Sequence, residues 1–406
     1  MNSFKIPKIR FMNFNDKWKY IILGEISNSI EYGLNAAAKD FDGIHKYLRI
    51  TDIDDSSRLF LTDKLSSPDI NFTEEDYENY KLQKNDLLFA RTGASVGKTY
   101  LYRESDGEVY YAGFLIRARL CDSFDGNFVF QQTLTDKYKQ FIEITSQRSG
   151  QPGVNGKEYG EWKIGMTSYH EQSVIGSLFR TFDDLLASYK DNLANYQSLK
   201  VTMLSKMFPK AGQSVPEIRL DGFEGEWKKD TLEPYLTESR ISGDTGLTAK
   251  KITVKLWGKG VIEKEEKYAG SSNTQYFVRK AGQFIYSKLD FQNQAFGIIP
   301  NELDGYQSTL DLPSFDIQNI DSKFLLEYVM RRGFYEYQGL IANGSRKAKR
   351  IHPEDFLVMP VRIPSLEEQQ AIGSYFSNID NFINSYQEKI SQIETLKKKL
   401  LQDMFI

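Results

Sequence analysis

Two stretches of the chain, residues 171–208 and 368–405, carry apolar residues at alternating spacings of three and four. The seam positions of the first stretch are Ile175, Leu178, Phe182, Leu185, Tyr189, Asn192, Tyr196, Leu199 and Met203. Those of the second are Ile372, Tyr375, Ile379, Phe382, Tyr386, Lys389, Ile393, Leu396 and Leu400. This period is that of a coiled coil, and no proline interrupts it. Each stretch is therefore predicted to form one long helix of about 55 Å.

The two stretches are also copies of each other. They align without a gap at an offset of 197 and are identical at 14 of 38 positions. The shared residues include Glu171/Glu368, Gln172/Gln369, Gly176/Gly373, Tyr189/Tyr386 and a final Met-Phe pair. A helix with one apolar stripe needs a partner, and each copy is the best partner for the other. Both seams are interrupted by a polar residue at the same place, as happens where a coiled coil fixes its register.

The segments before the two helices echo one another as well. Residues 6–19 resemble residues 215–228, and residues 84–92 and 281–289 each show a turn followed by a short apolar strand. The chain is therefore organised as a variable domain and a long helix, twice. The predicted domains are a first variable domain over 1–167, a first helix over 168–210, a second variable domain over 211–366 and a second helix over 367–406.

The hydrophobic pattern within the two variable domains predicts mixed strands and helices. Strands are expected at 20–26, 46–50, 86–90 and 109–119 in the first domain, and at 276–279 and 284–288 in the second. Helices are expected at 127–144 and 322–337. The predicted fold class is α+β (mixed α/β), with two similar globular domains joined by two long helices.

Composition limits the possible classes of protein. With 406 residues, 40% of them hydrophobic, the chain can bury substantial cores. A net charge of −3 argues against nucleic-acid binding by bulk charge, so such binding would need local patches or other subunits. The single cysteine, Cys121, excludes an intramolecular disulfide and fits a reducing cytosol. No signal peptide or apolar membrane span is visible, which predicts a cytoplasmic protein without membrane contact.

Motifs for catalysis or cofactor binding are weak. The loop 93–99 places three residues between its glycines, whereas a phosphate-binding loop needs four. The string at 311–315 lacks the paired prolines of an amino-methyltransferase motif, and the Glu-Trp-Lys triplet at 161–163 lacks the upstream partner of a nuclease site. No ligand spacing relates the three histidines, His45, His170 and His352. The chain is predicted to be non-catalytic by itself and to hold no cofactor or metal.

Polar and basic residues on loops are the candidates for binding. In the first domain they are Arg91, Thr92, Gly93, Ser95, Lys98, Arg148 and Gln151. In the second domain they are Lys288, Asn293, Gln294, Arg346, Lys347, Lys349 and Arg350. Such side chains suit contacts to DNA base edges and phosphates, although any one of them could equally belong to a solvated charged loop.

The motifs together resemble the specificity (S, HsdS) subunits of bacterial type I restriction–modification systems over essentially the full length. The motifs in question are EQ-x-x-IG at the start of both helices, LLFARTGASVGK at 87–98, RSGQPGVNG at 148–156, VPEIRLDGFEGEW at 215–227 and IPSLEEQQ at 363–370. The second domain departs from this pattern, because SKLDFQNQ and SRKAKR replace the glycine-rich loop and the SGQPG stretch.

The resemblance implies that each variable domain is a target recognition domain that reads one half of a bipartite site in double-stranded DNA. The two long helices would pack as an antiparallel coiled coil, set the spacing and dock two modification (methyltransferase) subunits that carry S-adenosylmethionine. Two restriction subunits that use ATP and Mg²⁺ could join them. The alternative is a non-catalytic scaffold that holds two ligand-binding modules on a coiled coil and does not bind DNA.

Overall fold

The computed structural model describes residues 6–148, 150–265, 270–341 and 350–406. The chain divides into two compact units. Unit 1 consists of Met1–Asp191 and Gln387–Ile406, and unit 2 consists of Asn192–Tyr386. Each unit therefore contains one variable region together with parts of both long helices.

Unit 1 combines ten strands with three short helices and the start of a long one. Its strands are β1 Lys19–Ile22, β2 Ser27–Tyr32, β3 Ala38–Asp40, β4 Lys46–Leu48, β5 Ser66–Pro68, β6 Asp86–Ala90, β7 Thr99–Leu101, β8 Val109–Tyr111, β9 Leu115–Leu120 and β10 Lys163–Met166. Its helices are α1 Gly126–Gln132, α2 Asp136–Thr145, α3 Gly156–Gly160 and α4 Tyr169–Lys206, which continues into unit 2.

The central sheet of unit 1 is antiparallel, with strand order β2-β9-β6-β7. All five residues of β6 are buried, as expected for a short apolar run in the middle of a sheet. Strands β1 and β10 form a separate antiparallel pair that brings the start of the variable region beside its end. The sheet and pair leave the loop after β6 at the edge of the core.

Unit 2 repeats this plan with different details. Its strands are β11 Lys228–Thr231, β12 Leu236–Ser239, β13 Ile241–Thr245, β14 Ile252–Val254, β15 Val261–Glu263, β16 Gln275–Val278, β17 Phe284–Tyr286, β18 Phe296–Ile298, β19 Gln307–Ser308, β20 Ser314–Ile317 and β21 Pro360–Ile363. Its helices are α5 Ser322–Met330, α6 Arg332–Gln338, α7 Pro353–Leu357 and α8 Leu366–Asp403, which continues into unit 1. The main sheet has the order β12-β20-β17-β18, with the short buried strand β17 again inside it.

Several predicted elements are divided in the structure. The strand expected at 20–26 ends at Ile22 and is followed by a 3₁₀ helix, Leu23–Ile26. The strand expected at 109–119 is interrupted by a turn in which Leu115 donates its backbone N–H to the Ala112 carbonyl. The helix expected at 127–144 is two helices, because Thr135 starts a new one by accepting a hydrogen bond from Tyr138 N.

The strand expected at 46–50 ends at Leu48, because Ile50 starts a 3₁₀ helix, Ile50–Asp52. The helix expected at 322–337 breaks at Arg331, whose extended backbone, with ψ of 137°, separates α5 from α6. Apolar periodicity alone predicts these elements as continuous, since local caps and backbone turns do not disturb it.

The two long helices are present as predicted, and they run antiparallel where they pair. In unit 1, Lys397 of α8 forms an ion pair with Asp183 of α4, and Glu394 pairs with Lys190 at 2.9 Å. In unit 2, Lys200 of α4 pairs with Asp380 of α8 at 2.7 Å. From Asp183 to Lys190 on α4, the partner on α8 moves back from Lys397 to Glu394. In unit 2, from Tyr196 to Lys200, the partner likewise moves back from Phe382 to Asp380. Within each unit the helices are therefore antiparallel.

The predicted apolar seam is only partly buried. Leu185, Phe382 and Leu396 are 37%, 50% and 46% exposed. Phe382 nevertheless stacks on Tyr196 of α4, with 5.0 Å between the ring centroids, so the seam makes the contact in unit 2 while staying open to solvent on one side. The charged pairs described above occupy part of the contact. The Lys389 ammonium, at one of the predicted seam interruptions, lies 5.7 Å from the Tyr189 ring centroid. The middle of the helix pair is therefore held by polar contacts as well as by apolar ones.

The repeated Glu-Gln at the start of each long helix ties that helix to its own unit. The buried Glu171 carboxylate accepts hydrogen bonds from Arg10 Nε at 2.6 Å and Arg10 Nη2 at 2.7 Å. Gln172 Oε1 accepts from Asp125 N at 3.1 Å. In unit 2, Glu368 and Gln369 make the same contacts with residues at the corresponding places, Arg219 and Asp321. The shared residues of the repeat are thus anchoring residues.

The repeated glycine lets each long helix approach the first turn of a short one. A Cβ atom at Gly176 would lie 2.3 Å from Asp125 Oδ1, the cap of α1, and one at Gly373 would lie 2.6 Å from Asp321 Oδ1, the cap of α5. We expect Gly176→Ala to destabilise unit 1 by about 1–3 kcal/mol, because the helix must move or the cap must break. Chemical denaturation of the full chain measures this loss.

Gly333→Ala is the matched control for that substitution. Gly333 also lies in a helix, α6, but a Cβ there has no heavy atom within 4 Å. It should be neutral or stabilise the chain by about 0.5–1 kcal/mol, since alanine favours helix. Equal effects at the two glycines would contradict the close-approach explanation.

A half-buried lysine joins the helix pair to α5 in unit 2. Lys200 Nζ donates to Asp380 Oδ2 at 2.7 Å and to Glu327 Oε1 at 3.0 Å. Unit 1 has the corresponding arrangement with a neutral residue, because Gln131 Nε2 donates to Asp183, the partner of Lys397. Burial raises the pKa of Glu327 above its ordinary value, and the second oxygen, Oε2, has no hydrogen-bond partner among the described residues.

Glu327→Gln should therefore stabilise unit 2 at neutral pH by on the order of 1 kcal/mol, because the amide can donate to Asp380 as Gln131 does to Asp183. The raised pKa means that the folded state binds the proton more tightly than the unfolded state. Stability is thus lost as pH rises from the ordinary glutamate value through the raised one. Denaturation across pH 4 to 8 should show that loss in the wild type and not in the variant. A variant with the unchanged pH profile would contradict this assignment.

Candidate nucleic-acid interface

The glycine-rich loop of unit 1 follows the buried strand β6 and turns at two glycines. Gly93 and Gly97 have φ of +75° and +83°, conformations that glycine adopts without strain. The loop pairs with a second predicted segment, since Gly93 N donates to Pro152 O at 3.0 Å and Val154 N donates to Arg91 O at 2.9 Å. We name residues 91–98 together with 150–154 the first loop pair. The structure thus brings together two segments that are far apart in sequence.

Arg91, Thr92, Gly93, Ser95 and Gln151 lie on the accessible side of the first loop pair. Arg91 is half-buried, and its guanidinium carbon lies 5.1 Å from the Tyr32 ring centroid, a cation–π contact that holds it in place. The exposed Gln151 amide lies beside Gly93, where a Cβ would be 3.0 Å from Gln151 Nε2. These side chains can form a shared polar surface.

Two predicted residues of unit 1 have partners within the protein. Lys98 is 8% exposed, and its Nζ donates to Ile53 O at 2.8 Å and pairs with Asp55 at 2.6 Å. Arg148 donates to Glu158 Oε1 at 2.5 Å. Lys98 therefore holds the glycine-rich loop against the turn that contains Ile53 and Asp55. DNA contact by Lys98 or Arg148 stays a prediction.

In unit 2, the loop after β17 takes the place of the glycine-rich loop. Ile351 N donates to Lys288 O at 3.1 Å, and Arg350 Nε donates to Asp311 Oδ1 at 3.3 Å, so the loop 287–294 meets residues 350–351. We name these segments the second loop pair. The Lys288 side chain is largely buried, which lowers the pKa of its ammonium.

Asn293 and Gln294 stand at the turn of the second loop pair. Asn293 Nδ2 donates to Asp290 Oδ1 at 3.3 Å, and Gln294 has a φ of +55°. Of the predicted basic cluster, Arg350 belongs to the loop pair, whereas Arg346, Lys347 and Lys349 lie outside the described residues. The two units thus place a loop after a central buried strand against a segment that follows their second short helix.

A cleft of about 1020 Å³ lies beside the first loop pair within unit 1. Its walls are the turn 54–59, residues 94–98, α2 and the paired helices α4 and α8. Arg58 lines this cleft in a left-handed backbone conformation, with φ of +59°, and burial lowers the pKa of its guanidinium. Among the described residues its guanidinium has no hydrogen-bond partner. Sequence reasoning missed Arg58, since its position depends on the tertiary fold.

The described ranges lack two further features, a cluster of metal-ligating side chains and a membrane-spanning helix. There, no group of three or more His, Cys, Asp or Glu side chains could hold a metal ion. None of the helices in the same ranges combines the length and the apolar composition that crossing a bilayer requires.

The class that the structure defines is a duplicated one: each of the two units holds a loop pair and is anchored to the pair of long helices. No family model matches the chain. The type I restriction enzyme MjaVIII specificity subunit of Methanocaldococcus jannaschii is 21% identical over 412 residues, covering 95% of this chain and 91% of the relative. The putative type I restriction enzyme MjaX specificity subunit of the same organism is 22% identical over 415 residues, covering 95% and 92%.

A solved structure shares the fold. The S subunit of a type I restriction–modification system from M. genitalium superimposes with a TM-score of 0.66 at 14% identity, covering 99% of both chains. This match confirms the predicted mixed α/β fold class with two long helices. The two relatives, aligned along nearly their whole length, confirm the resemblance to type I specificity subunits that the sequence motifs predict.

Proposed function

We propose that this chain is the DNA sequence-specificity subunit of a type I restriction–modification complex. The observation that carries the proposal is the duplicated loop pair in a chain similar throughout to named specificity subunits. The first loop pair presents Arg91 and Gln151, and the second presents Asn293, Gln294 and Arg350. Such side chains are the ones that contact base edges and phosphates. Each loop pair would then belong to one reader of a bipartite site.

The long helices supply the second part of the proposal. A helix of 38 residues is about 57 Å long, which exceeds the roughly 34 Å between half-sites one helical turn apart. A rigid helix pair can set such a spacing, whereas a flexible linker cannot. We infer that the helices also dock two methyltransferase subunits, and that this chain does no catalysis itself.

The cofactors of this proposal belong to the partner subunits. S-adenosylmethionine would be bound by the methyltransferase subunits, and ATP and Mg²⁺ by two restriction subunits where these are present. The protein would act in the cytoplasm, where bacterial DNA is methylated. The competing hypothesis, a scaffold that does not bind DNA, has no observation in its favour beyond the exposed apolar positions of the helix pair.

Methylation sequencing tests the proposal. DNA from cells that express the chain with its methyltransferase partner should carry a bipartite methylated motif with a fixed unspecific gap. Deletion of this chain should abolish that motif. A continuous motif, or a motif that survives the deletion, would contradict the proposal and favour the scaffold.

A further inference from the structure

The hairpin formed by β14 and β15 in unit 2 presents a tryptophan to solvent. Trp257 lies in its loop, residues 255–260, and is 58% exposed. The other tryptophans of the chain, Trp18, Trp162 and Trp227, are at most 4% exposed. An indole left in water forgoes the large burial energy of an aromatic side chain, so its exposure calls for an explanation.

The backbone at Trp257 is strained and fixed in place. Trp257 has a φ of +61°, a conformation that is unusual for a bulky residue and that glycine would adopt freely. Trp257 N donates to Asn293 O at 2.8 Å, and Gly258 N donates to Gln294 O at 3.0 Å. Gln294 itself has a φ of +55°. The hairpin tip is therefore docked on the second loop pair, and strain of this kind is typical of functional sites.

The chemistry around Trp257 favours a nucleic acid over a protein as its ligand. Lys255 and Lys259 flank it on the same loop and are exposed. Lysine is depleted at protein–protein interfaces, whereas an aromatic ring among basic and amide side chains is the usual platform for nucleobases. The ring face can pack on a base while the lysines face phosphates.

Unit 1 places an aromatic side chain in the corresponding neighbourhood by a different route. Phe114 is 62% exposed in the turn between β8 and β9. Its carbonyl accepts a hydrogen bond from Arg91 N at 3.1 Å, so it adjoins the first loop pair. Each unit thus has an exposed large aromatic side chain next to the loop where the polar candidates converge. Unit 1 also has Tyr32, which is 44% exposed but is occupied by its contact with Arg91.

We propose that Trp257 and Phe114 are DNA-contacting residues, one at each half-site, whose rings enter a groove of the duplex and wedge against a base step. This inference rests on the proposed function and adds to it the residues that sequence reasoning did not select. A wedge contact of this kind does not read the donor and acceptor pattern of the base edges. The rings would therefore contribute affinity at each half-site and position the loop pair in the groove, where its polar side chains reach the base edges.

The test uses the complex with its methyltransferase partner and duplexes that carry the methylated motif, with either half intact or scrambled. Trp257→Gly should weaken binding about 10- to 100-fold and lose the preference for one half, and Phe114→Ala should do the same for the other half. Each variant is the control for the other. Trp257→Phe should retain most of the affinity, because it keeps an aromatic ring.

Stability measurements separate this effect from misfolding. Trp257→Gly removes the strain of a positive φ, so its thermal unfolding midpoint should be unchanged or higher while DNA binding falls. Tryptophan fluorescence of the full chain gives a direct readout, since Trp257 is the exposed emitter. Duplex DNA should quench that emission in the wild type and leave the emission of Trp257→Phe unchanged.

The alternatives give distinct results. Normal binding and normal reading of both halves by Trp257→Gly and Phe114→Ala would overturn the inference, as would wild-type fluorescence that DNA does not change. If Trp257→Gly instead fails to assemble with the methyltransferase while DNA still binds, Trp257 belongs to a protein interface and the inference is wrong. A wild-type complex that methylates no bipartite motif would contradict the proposed function itself, and the fluorescence result would still decide DNA contact by Trp257.

Discussion

Replacing Phe405 with alanine should destabilise unit 1 by about 3–5 kcal/mol. Phe405 is 5% exposed, and its ring centroid lies 5.4 Å from that of Phe128, 5.6 Å from that of Phe179 and 6.3 Å from that of Trp18. Truncation would leave a cavity among these rings, which are held by separate helices and a strand-entry segment and cannot easily close it. Chemical denaturation of the full chain, followed by hydrogen exchange resolved by segment, measures the loss.

Phe208→Ala is the matched variant in unit 2. Phe208 is 1% exposed, and its ring lies 5.6 Å from Phe324 and 5.9 Å from Trp227. The same loss is expected, but in the segments of unit 2. A cost below about 1 kcal/mol in either unit, or a loss of protection in the wrong unit, would contradict the role assigned to the repeated Met-Phe pair.

The sequence predicts the parts of the fold that depend on regular patterns. The strand Asp86–Ala90 has the predicted bounds, because a short apolar run between turn residues is typical of a buried strand and the turn residues mark its ends. The long helices follow from three heptads of seam and from the repeat. The exposure of Leu185 and Phe382 could not be predicted, since the period of the seam shows which residues share a helix face but not how completely the opposite helix covers each of them.

For the candidate site too, the sequence predicts the regions but not the contacts of individual side chains. Loop regions such as 91–98 could be selected because glycines and polar residues follow a buried strand. The hydrogen bond by which Lys98 binds the protein itself could not be predicted, since its acceptor, Ile53 O, is 45 residues away in the sequence. Trp257 was missed for a related reason: exposure of an aromatic residue is a property of the folded surface and leaves no periodic trace in the sequence.

Replacing Glu171 with glutamine should destabilise unit 1 by about 3–5 kcal/mol, although the change is nearly isosteric. The carboxylate is 0% exposed and accepts from both Arg10 Nε and Arg10 Nη2, and Trp18 Nε1 donates to it at 3.2 Å. The hydrogen bond to Glu171 raises the pKa of Arg10 above its ordinary value. The guanidinium keeps its charge in the variant because the ordinary pKa of arginine already lies far above neutral pH. Glutamine would leave that charge without a counterion at a side chain only 10% exposed. Thermal and chemical denaturation measure the effect.

Glu368→Gln tests whether burial of the charge is the cause. Arg219, its partner, is 19% exposed and also donates to Glu224 O and Gly225 O, so water and these carbonyls can compensate. The cost there should be smaller by about 1–2 kcal/mol. The double variant Arg10→Met with Glu171→Met should recover much of the loss at Glu171, because it removes both buried charges and keeps apolar volume. A double variant as unstable as Glu171→Gln would mean that the contact acts through shape and hydrogen bonding to Trp18, and the charge explanation would be wrong.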